Sequence, residues 1–288
     1  MKNLKNVIVI TIDNDAEGRQ IMLILLAAGI AHIRSAQPHG ASLEKEHGIQ
    51  ELVLASGKTE VWTVEIPGPA MENLFRRNGL TLTIIDHHTY GQLDRAHDTF
   101  GKRKLGSLEQ FLLLAGITDK DLRKWKFDPR LVHGIGVMDD RFVRGLRTEG
   151  FSPEEVRRVI AYREMLDRQI NPEYDLIASV AENVWQTRRL EQGYLICTST
   201  SDLRVSYAVC TRSITDSLEE HPLILVDRGG RQIYVSNVPY TIIKKLEEAF
   251  EGHRTFTYAL GRCWGIDNDA VNIPKITLEE ILSVVTRV

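Results

Sequence analysis

Apolar positions in the first 90 residues form short runs that alternate with longer helical patterns. Four of the runs are typical of strands. They are NVIVITID, ELVLAS, EVWTVEI and LTLTIID. Two segments between them are predicted as helices, EGRQIMLILLAAG with Gly29 as its stop and PAMENLFRRNG with proline at its start. Such alternation predicts a parallel sheet with helices on both faces.

The pattern changes twice in the rest of the chain. Helical patterns dominate from about residue 107 to 191, and strand-like runs return after Gly193. We therefore predict two domains, residues 1–190 and 191–288. The predicted fold class is α/β, in which a parallel sheet flanked by helices is joined by a helical connector to a smaller α/β domain.

Acidic and imidazole side chains follow three of the predicted strands. The first strand runs into DNDAEG, the third reaches Glu65, and the fourth is followed by the tripeptide Asp86–His88. Another apolar stretch, HGIGVMDDRF, is expected to present the pair Asp139–Asp140 in the same way. Because ligands of parallel α/β sheets bind beyond the carboxyl ends of the strands, this edge is the candidate site.

Composition limits the classes of protein that fit. The chain has 288 residues, 43% of them hydrophobic and 26% charged, which fits a soluble globular protein of two domains. Its net charge of −3 provides no overall basic field for long nucleic acid. Three cysteines without metal-type spacing indicate reduced thiols, and the longest apolar run is too short to cross a membrane. We expect a cytoplasmic location.

The chemistry of the candidate residues favours a hard divalent ion. Carboxylates with an imidazole and no cysteine suit Mn²⁺ or Mg²⁺. Carboxylates crowded in this way repel one another unless cations lie among them. Two ions about 3.5–4 Å apart would hold a phosphate and activate water for attack on phosphorus. A neutral imidazole would then orient or protonate a phosphate oxygen near pH 7.

Four motifs resemble, in the same order, those of the DHH phosphoesterase superfamily, and the first is most similar to that of the RecJ-type exonucleases. They are IDNDAEG, TVEIPG, IIDHH and GVMDD, within residues 5–142. The resemblance implies a two-domain hydrolase of phosphoesters that uses two ions, Mn²⁺ or Mg²⁺, and binds the substrate between its domains.

The resemblance also implies a role for each residue of the motifs. The expected metal ligands are Asp13, Asp15, Glu17, Glu65, Asp86, His87, Asp139 and Asp140. Of the last two, the distance from the preceding glycine favours Asp140. Asp86 is expected to bridge the metals and His88 to face the substrate phosphate, so these two are the candidate catalytic residues.

The sequence departs from the usual family pattern at several positions. Aspartate is usual where this chain has Glu17 and Glu65, whose carboxylates reach about 1.5 Å farther. Many members have histidine where Thr11 stands. The glycine-rich stretch of the family's C-terminal domain is mostly missing from FEGHRTFTYALG. The candidate substrate-binding residues of that domain are His253, Arg254 and Arg228.

The predicted function is hydrolysis of a nucleotide phosphoester, with a short oligonucleotide or a linear or cyclic dinucleotide as substrate. Two alternatives stay open, hydrolysis of pyrophosphate or polyphosphate, and binding of a nucleotide or RNA without cleavage. No membrane partner and no long nucleic acid are expected. The oligomeric state, including a homodimer, is left open.

Overall fold

The computed structural model describes residues 1–38, 40–90, 92–215, 221–258, 262–269 and 273–286. The chain divides into two compact units, Met1–Asn171 and Pro172–Val288. The predicted division after residue 190 differs from this one because it grouped the helix before residue 190 with the first domain.

A four-stranded parallel sheet lies at the centre of the first unit. Its strands are β1 (Val7–Ile12), β2 (His32–Ser35), β3 (Glu60–Val64) and β4 (Thr81–Ile85). Their order in the sheet is β2-β1-β3-β4. Val9 of β1 pairs with Trp62 of β3, which pairs in turn with Thr83 of β4. Because the strands are parallel, their carboxyl ends share one edge of the sheet.

Helices cover both faces of this sheet. They are α1 (Ala16–Ala28), α2 (Ile49–Ala55), α3 (Pro69–Arg77), α4 (Ser107–Ala115), α5 (Asp119–Lys124), α6 (Pro129–Thr148) and α7 (Pro153–Ile170). Val7 and Val9 pack in a core that includes residues of α1, α4 and α6, whereas Ile8 and Ile10 pack in a second core with α2 and α3. This alternation along β1 confirms the predicted sheet with helices on both faces.

The start of α1 places two acidic side chains at this edge of the sheet. Asp15 begins the helix, and its Oδ1 accepts a hydrogen bond of 2.8 Å from the backbone N–H of Gly18. A Cβ at Gly18 would lie 2.7 Å from the carbonyl oxygen of Ile12, so only glycine allows α1 to approach β1 this closely. The helix ends at Gly29, which has a φ of 65°.

One predicted strand is wrong, since its segment is helical. ELVLAS lies mainly in α2, where Ile49 and Val53 are buried while Leu52 and Leu54 are exposed, a spacing of four residues that belongs to a helix. HGIGVMDDRF lies within α6. Its glycine at 134 allows close packing with α7, since a Cβ there would lie 2.4 Å from a methyl group of Val159.

Two short strands follow β4, namely β5 (Thr89–Tyr90) and β6 (Leu93–Asp94). They pair antiparallel, with Thr89 opposite Asp94 and Tyr90 opposite Leu93. They return the chain toward the segment that precedes α4.

The second unit is built on a mixed sheet. Its described strands are β7 (Arg189–Glu191), β8 (Tyr194–Thr198), β9 (Leu223–Asp227), β10 (Gln232–Ser236), β11 (Thr255–Tyr258) and β12 (Cys263–Asp267), in the order β11-β12-β10-β9-β8-β7. Strands β8 and β9 are parallel, and the other pairs are antiparallel.

Helices of the second unit complete its α/β architecture. They are α8 (Tyr174–Gln186), α9 (Ser206–Thr215), α10 (Tyr240–Ala249) and α11 (Leu278–Val285). Apolar residues of α10 and α11 pack with one face of the sheet around the fully buried Trp264. Helix α8 packs against α9, although the sequence had grouped it with the first domain.

Candidate functional site

Side chains from three neighbouring strands meet at the carboxyl edge of the parallel sheet. Asp15 follows β1, Glu65 follows β3, and Asp86 and His87 follow β4. Glu65 has a φ of 52°, which is uncommon for a residue with a side chain, and its backbone N–H donates to the carbonyl of Ile85. Strained backbone of this kind occurs at functional sites, where the surrounding structure maintains it.

The imidazole of His87 lies at the centre of the cluster. Its side chain is 3% exposed, and its Nε2 lies 3.2 Å from Glu65 Oε1 and 3.2 Å from Asp139 Oδ2. Glu17 Oε2 is 3.9 Å from the same nitrogen. The structure therefore brings residues of all four sequence motifs together at this imidazole. His87 belongs to the third motif, and its neighbours Glu17, Glu65 and Asp139 belong to the first, second and fourth.

Three buried atoms at this point lack a hydrogen-bond partner within the described part of the chain. They are Glu17 Oε2, Glu65 Oε1 and His87 Nε2. Buried polar atoms are almost always satisfied, so their convergence indicates a group that the chain itself does not supply. Ligand atoms of Glu65, His87, His88 and Asp139 lie within 4.8 Å of one another. The donor set of carboxylates with imidazole fits Mn²⁺ or Mg²⁺, so these residues could hold such an ion.

Glu17 uses its two carboxylate oxygens for different purposes. Oε1 accepts a hydrogen bond of 3.0 Å from the backbone N–H of Leu108, in the first turn of α4. Oε2 faces His87. The side chain is completely buried and thus links the start of α4 to the cluster.

Asp139 and Asp140 lie on α6, next to a break in that helix. Phe142 interrupts the helix with a φ of 55° and a ψ of −158°. Asp139 Oδ2 faces His87 Nε2, whereas Asp140 Oδ1 lies 3.4 Å from His87 Nδ1. Asp140 also pairs with Arg103 at 2.8 Å and Arg141 at 3.3 Å. The geometry favours Asp139 as the ligand, contrary to the choice of Asp140 from the glycine spacing.

Asp86 is buried and holds His88. Its Oδ1 accepts hydrogen bonds from the backbone N–H of His88 at 3.0 Å and from the hydroxyl of Tyr90 at 3.3 Å. The ring nitrogen Nδ1 of His88 lies 3.2 Å from the same oxygen. The side chain of His88 is 42% exposed, so it is the part of the cluster most open to solvent among the residues of the DHH motif.

The two aspartates before α1 lie in different surroundings. Asp13 is paired with Arg19 at 3.1 Å and with Arg34 at 2.9 Å, and its side chain is fully buried. The structure therefore neutralises Asp13 with two guanidinium groups and does not bring it into the group around His87. Asp15 remains close enough to Glu65 and Asp139 for their charges to affect its ionisation.

Two carboxylates of this cluster, Asp15 and Glu17, have raised pKa values. Burial, with the negative charges of Glu65 and Asp139, raises the pKa of Asp15 to about 7. The same causes hold the pKa of Glu17 well above its usual range. A cation among these carboxylates would remove the repulsion that raises their pKa values.

The pKa values of His87 and Glu65 shift in opposite directions because the charged forms of the two side chains stabilise each other. Burial lowers the pKa of His87, but its contacts with Asp139, Asp140 and Glu65 outweigh burial and raise it well above its ordinary value. Burial raises the pKa of Glu65. The interaction with His87 and the charge of His88 outweigh burial and lower this pKa to about 2.

Thr11 is fully buried in β1. Its hydroxyl donates to the carbonyl oxygen of Ile12 at 3.2 Å. Among the described side chains it therefore acts within the strand and contributes no ligand atom to the group around His87.

The candidate substrate-binding residues of the second unit lie near one end of its sheet. Arg228 begins the turn between β9 and β10 and has a φ of 49°. Arg254 precedes β11 and pairs with Asp267 at 3.3 Å. Asp267 is opposite Gln232, the first residue of β10, so the Arg228 turn and Arg254 share this end. His253 packs edge-on against the ring of Phe250.

Sequence reasoning missed two contributions to the site. Arg103 was not identified, since only its place in the basic run GKRK distinguishes it in the sequence. The link between Glu17 and α4 was also missed; the only local signal is Gly106 at the N-cap of α4, which has no side chain to cap the helix.

Comparisons with known proteins give structural similarities only. No family model matches the chain, and no curated protein matches it. Among solved structures, the exonuclease RecJ bound to manganese has a TM-score of 0.41 and 14% identity, covering 91% of this chain and 85% of RecJ. The DHH domain of a member of the S1p family of ribosomal proteins has a TM-score of 0.49 and 12% identity, covering 97% and 85%.

A third similar structure is PggH from Vibrio cholerae, described as a pGpG-specific phosphodiesterase. Its TM-score is 0.39 at 9% identity, and the likeness covers 96% of this chain and 95% of PggH. These similarities extend over nearly the whole chain. None of the helices in the described residues has the length and hydropathy that a membrane crossing requires.

Proposed function

We propose that the chain is a divalent-metal-dependent phosphoesterase that hydrolyses a nucleotide phosphoester. The observation that carries the proposal is the convergence of the unsatisfied atoms Glu17 Oε2, Glu65 Oε1 and His87 Nε2, with Asp139 Oδ2 beside them. Buried carboxylates without enough hydrogen-bond donors are costly, and a divalent ion would satisfy them. The order of the DHH-like motifs in the sequence supports the same reaction class.

Glu65, His87 and Asp139 would hold the ion, with Glu17 and Asp15 beside them. Mn²⁺ or Mg²⁺, as one or two ions, would supply an activated water and neutralise charge at the phosphate. Asp140 accepts from Nδ1 of His87, which leaves the lone pair of Nε2 for the metal. Arg103 and Arg141 hold Asp140 in its ionised form.

His88 would act on the substrate. Asp86 holds Nδ1 of its ring, and the partly exposed imidazole can present Nε2 to a phosphate oxygen. Burial lowers the pKa of His88, but the contacts with Asp86 and Glu65 outweigh burial and raise it, which favours a ring able to donate a hydrogen bond to the phosphate. In this proposal Asp86 positions His88.

The substrate we propose is a short oligonucleotide or a linear or cyclic dinucleotide, in a cytoplasmic protein. Arg228, Arg254 and His253 are the proposed substrate-binding residues of the second unit. Arg254 supports this role because its side chain is 71% exposed. The net charge of −3 disfavours long nucleic acid.

A phosphoester panel with metal analysis tests the proposal. The full chain, stripped of metal and supplied with Mn²⁺, is expected to release mononucleotides from dinucleotides, and Asp86→Ala and His87→Ala are expected to abolish release. Asp119→Ala is the matched control, because this exposed acid pairs only with surface residues among the contacts described. Release of phosphate from pyrophosphate alone would replace the proposed substrate class. Nucleotide binding without Mn²⁺ uptake would replace the enzyme with a binding protein.

A further inference from the structure

A rigid turn projects from the segment between β6 and α4. Asp98 organises it, because its Oδ1 accepts hydrogen bonds of 2.9 Å from the backbone N–H groups of both Phe100 and Lys102. The backbone N–H of Asp98 donates to the carbonyl of Lys102 at 2.8 Å, and Gly101 adopts a φ of 76°. These contacts define the 98–102 turn and fix the direction in which its central residue points.

Phe100 occupies the tip of the 98–102 turn and is 93% exposed, more than any other large hydrophobic side chain in the described residues. A fully exposed phenyl ring gains nothing from the hydrophobic effect in the isolated chain. Its exposure does not follow from a disordered loop, because the turn around it is closed by hydrogen bonds. An aromatic ring held out in this way offers both faces to a planar partner.

The charges around the ring are basic. Lys102 and Lys104 follow Phe100 within four residues of the chain, and neither has an ion pair among the described residues. The nearby acid Asp98 is committed to the backbone of the turn. Two free ammonium groups beside an exposed aromatic ring are the combination that single-stranded nucleic acid requires, namely phosphate neutralisation and base stacking.

The 98–102 turn is tethered to the candidate metal centre. His97 and Arg103 pair antiparallel below the turn, and Arg103 Nη2 lies 2.8 Å from Asp140 Oδ1. Asp140 in turn faces His87 at 3.4 Å. Phe100 is three residues from Arg103, and three residues span at most roughly 10 Å of chain, less within a closed turn. The turn is therefore anchored within the reach of a short oligonucleotide whose phosphate lies at the cluster.

We propose that the 98–102 turn is a base-stacking contact for a single-stranded oligonucleotide, with Phe100 stacking on a nucleobase and Lys102 and Lys104 contacting phosphates. The proposal rests on the proposed function and deepens it, since it names the part of the substrate that the turn recognises. It makes the base, in addition to the phosphate, a determinant of binding.

Equilibrium binding of two matched pentanucleotides tests this contact. One carries bases, and the other is abasic with the same phosphates. Binding of each to the full chain is measured by fluorescence anisotropy in Ca²⁺ buffer. The oligonucleotides are checked to remain intact. Wild type is expected to bind the base-containing oligonucleotide more tightly, by about 5- to 150-fold for one stacked base. Phe100→Ala is expected to remove this preference and Phe100→Tyr to retain it.

Thr99→Ala is the matched control, since Thr99 is an exposed neighbour in the same turn. No preference for bases in wild type, or a preference unchanged in Phe100→Ala, would overturn the inference. Binding to anionic phospholipid vesicles that depends on Phe100, without a base preference, would overturn it in favour of a membrane contact. Failure of the proposed function is recognised separately, because hydrolysis in Mn²⁺ would then be absent whatever the binding measurement shows.

Discussion

Glu17 Oε1 accepts the backbone N–H of Leu108 at 3.0 Å, so a residue of the first sequence motif closes the start of a helix 91 positions later. The contact gives a physical reason for glutamate, rather than the shorter aspartate, at this position. The additional methylene lets one oxygen reach α4 while the other stays beside His87.

Shortening Glu17 is expected to destabilise the first unit even without metal. Glu17→Asp loses the bond to Leu108 and leaves a buried N–H unsatisfied, at a cost of about 1–2 kcal/mol in the free energy of unfolding. Glu17→Gln keeps an acceptor oxygen and is expected to retain stability in EDTA while binding Mn²⁺ more weakly. Urea unfolding in EDTA measures the stability of both variants, with Glu51→Asp as control for an exposed helical glutamate. Equal midpoints for Glu17→Asp and wild type would contradict the capping role.

Metal binding is expected to stabilise the folded protein through the crowded cluster. A ligand that binds only the native state contributes about 2.7 kcal/mol at 100 times its dissociation constant. Thermal unfolding in EDTA and in rising Mn²⁺ measures the effect, which His87→Ala should abolish. His133→Ala serves as control, because this partly exposed imidazole pairs with Asp119 away from the cluster. If Mn²⁺ did not change the melting temperature of the wild type, this would argue against any metal at His87.

Substitutions of Asp139 and Asp140 are expected to have different effects on activity and on metal affinity. Asp139→Asn removes a ligand atom, so activity should be lost at any Mn²⁺ concentration. Asp140→Asn removes a positioning contact to His87, which typically costs 10- to 100-fold in metal affinity, and saturating Mn²⁺ should restore turnover. Calorimetric Mn²⁺ titrations and kcat at saturating metal separate the two cases, with Asp119→Asn as control. The reverse pattern would restore the assignment of Asp140 as the ligand.

The parts of the fold and site that local patterns determine were predictable. The strands before Glu65 and Asp86 are apolar runs interrupted only by threonine, and the rule that strand ends share an edge brought these residues together. The pattern failed at ELVLAS, where four consecutive apolar residues concealed a helical spacing in which only Val53 of them is buried.

The remaining features depend on contacts between distant segments. Which aspartate of α6 faces His87 is decided by the rotation of that helix and by the break at Phe142. No local pattern encodes either. The pairing of Arg103 with Asp140 joins positions 37 residues apart, and the neutralisation of Asp13 by Arg34 depends on the register of β1 with β2. Packing and long-range charge decide these contacts.

The stability of α7 is expected to depend on pH through Glu155. This carboxylate accepts from the backbone N–H of Ser152 at 2.8 Å and from Nε of Arg130 at 2.8 Å. The hydrogen bonds with Arg130 and with the Ser152 backbone lower its pKa from the usual 4.5 to about 2. A lowered pKa means that its contribution is fully present above about 4.5 and is lost as the pH falls through about 2.

Glu155→Gln is therefore expected to lower the urea midpoint at pH 7, with the difference from wild type shrinking as the pH falls below 4.5. Metal-free protein in EDTA is used, so that the candidate metal centre is in the same state for both proteins. Glu154→Gln is the matched control, because this neighbouring acid in the first turn of α7 is exposed and lies outside the capping contacts. A difference between Glu155→Gln and wild type that stays constant from pH 7 to pH 3 would show that the glutamine disturbs the helix start for a reason other than the lost charge.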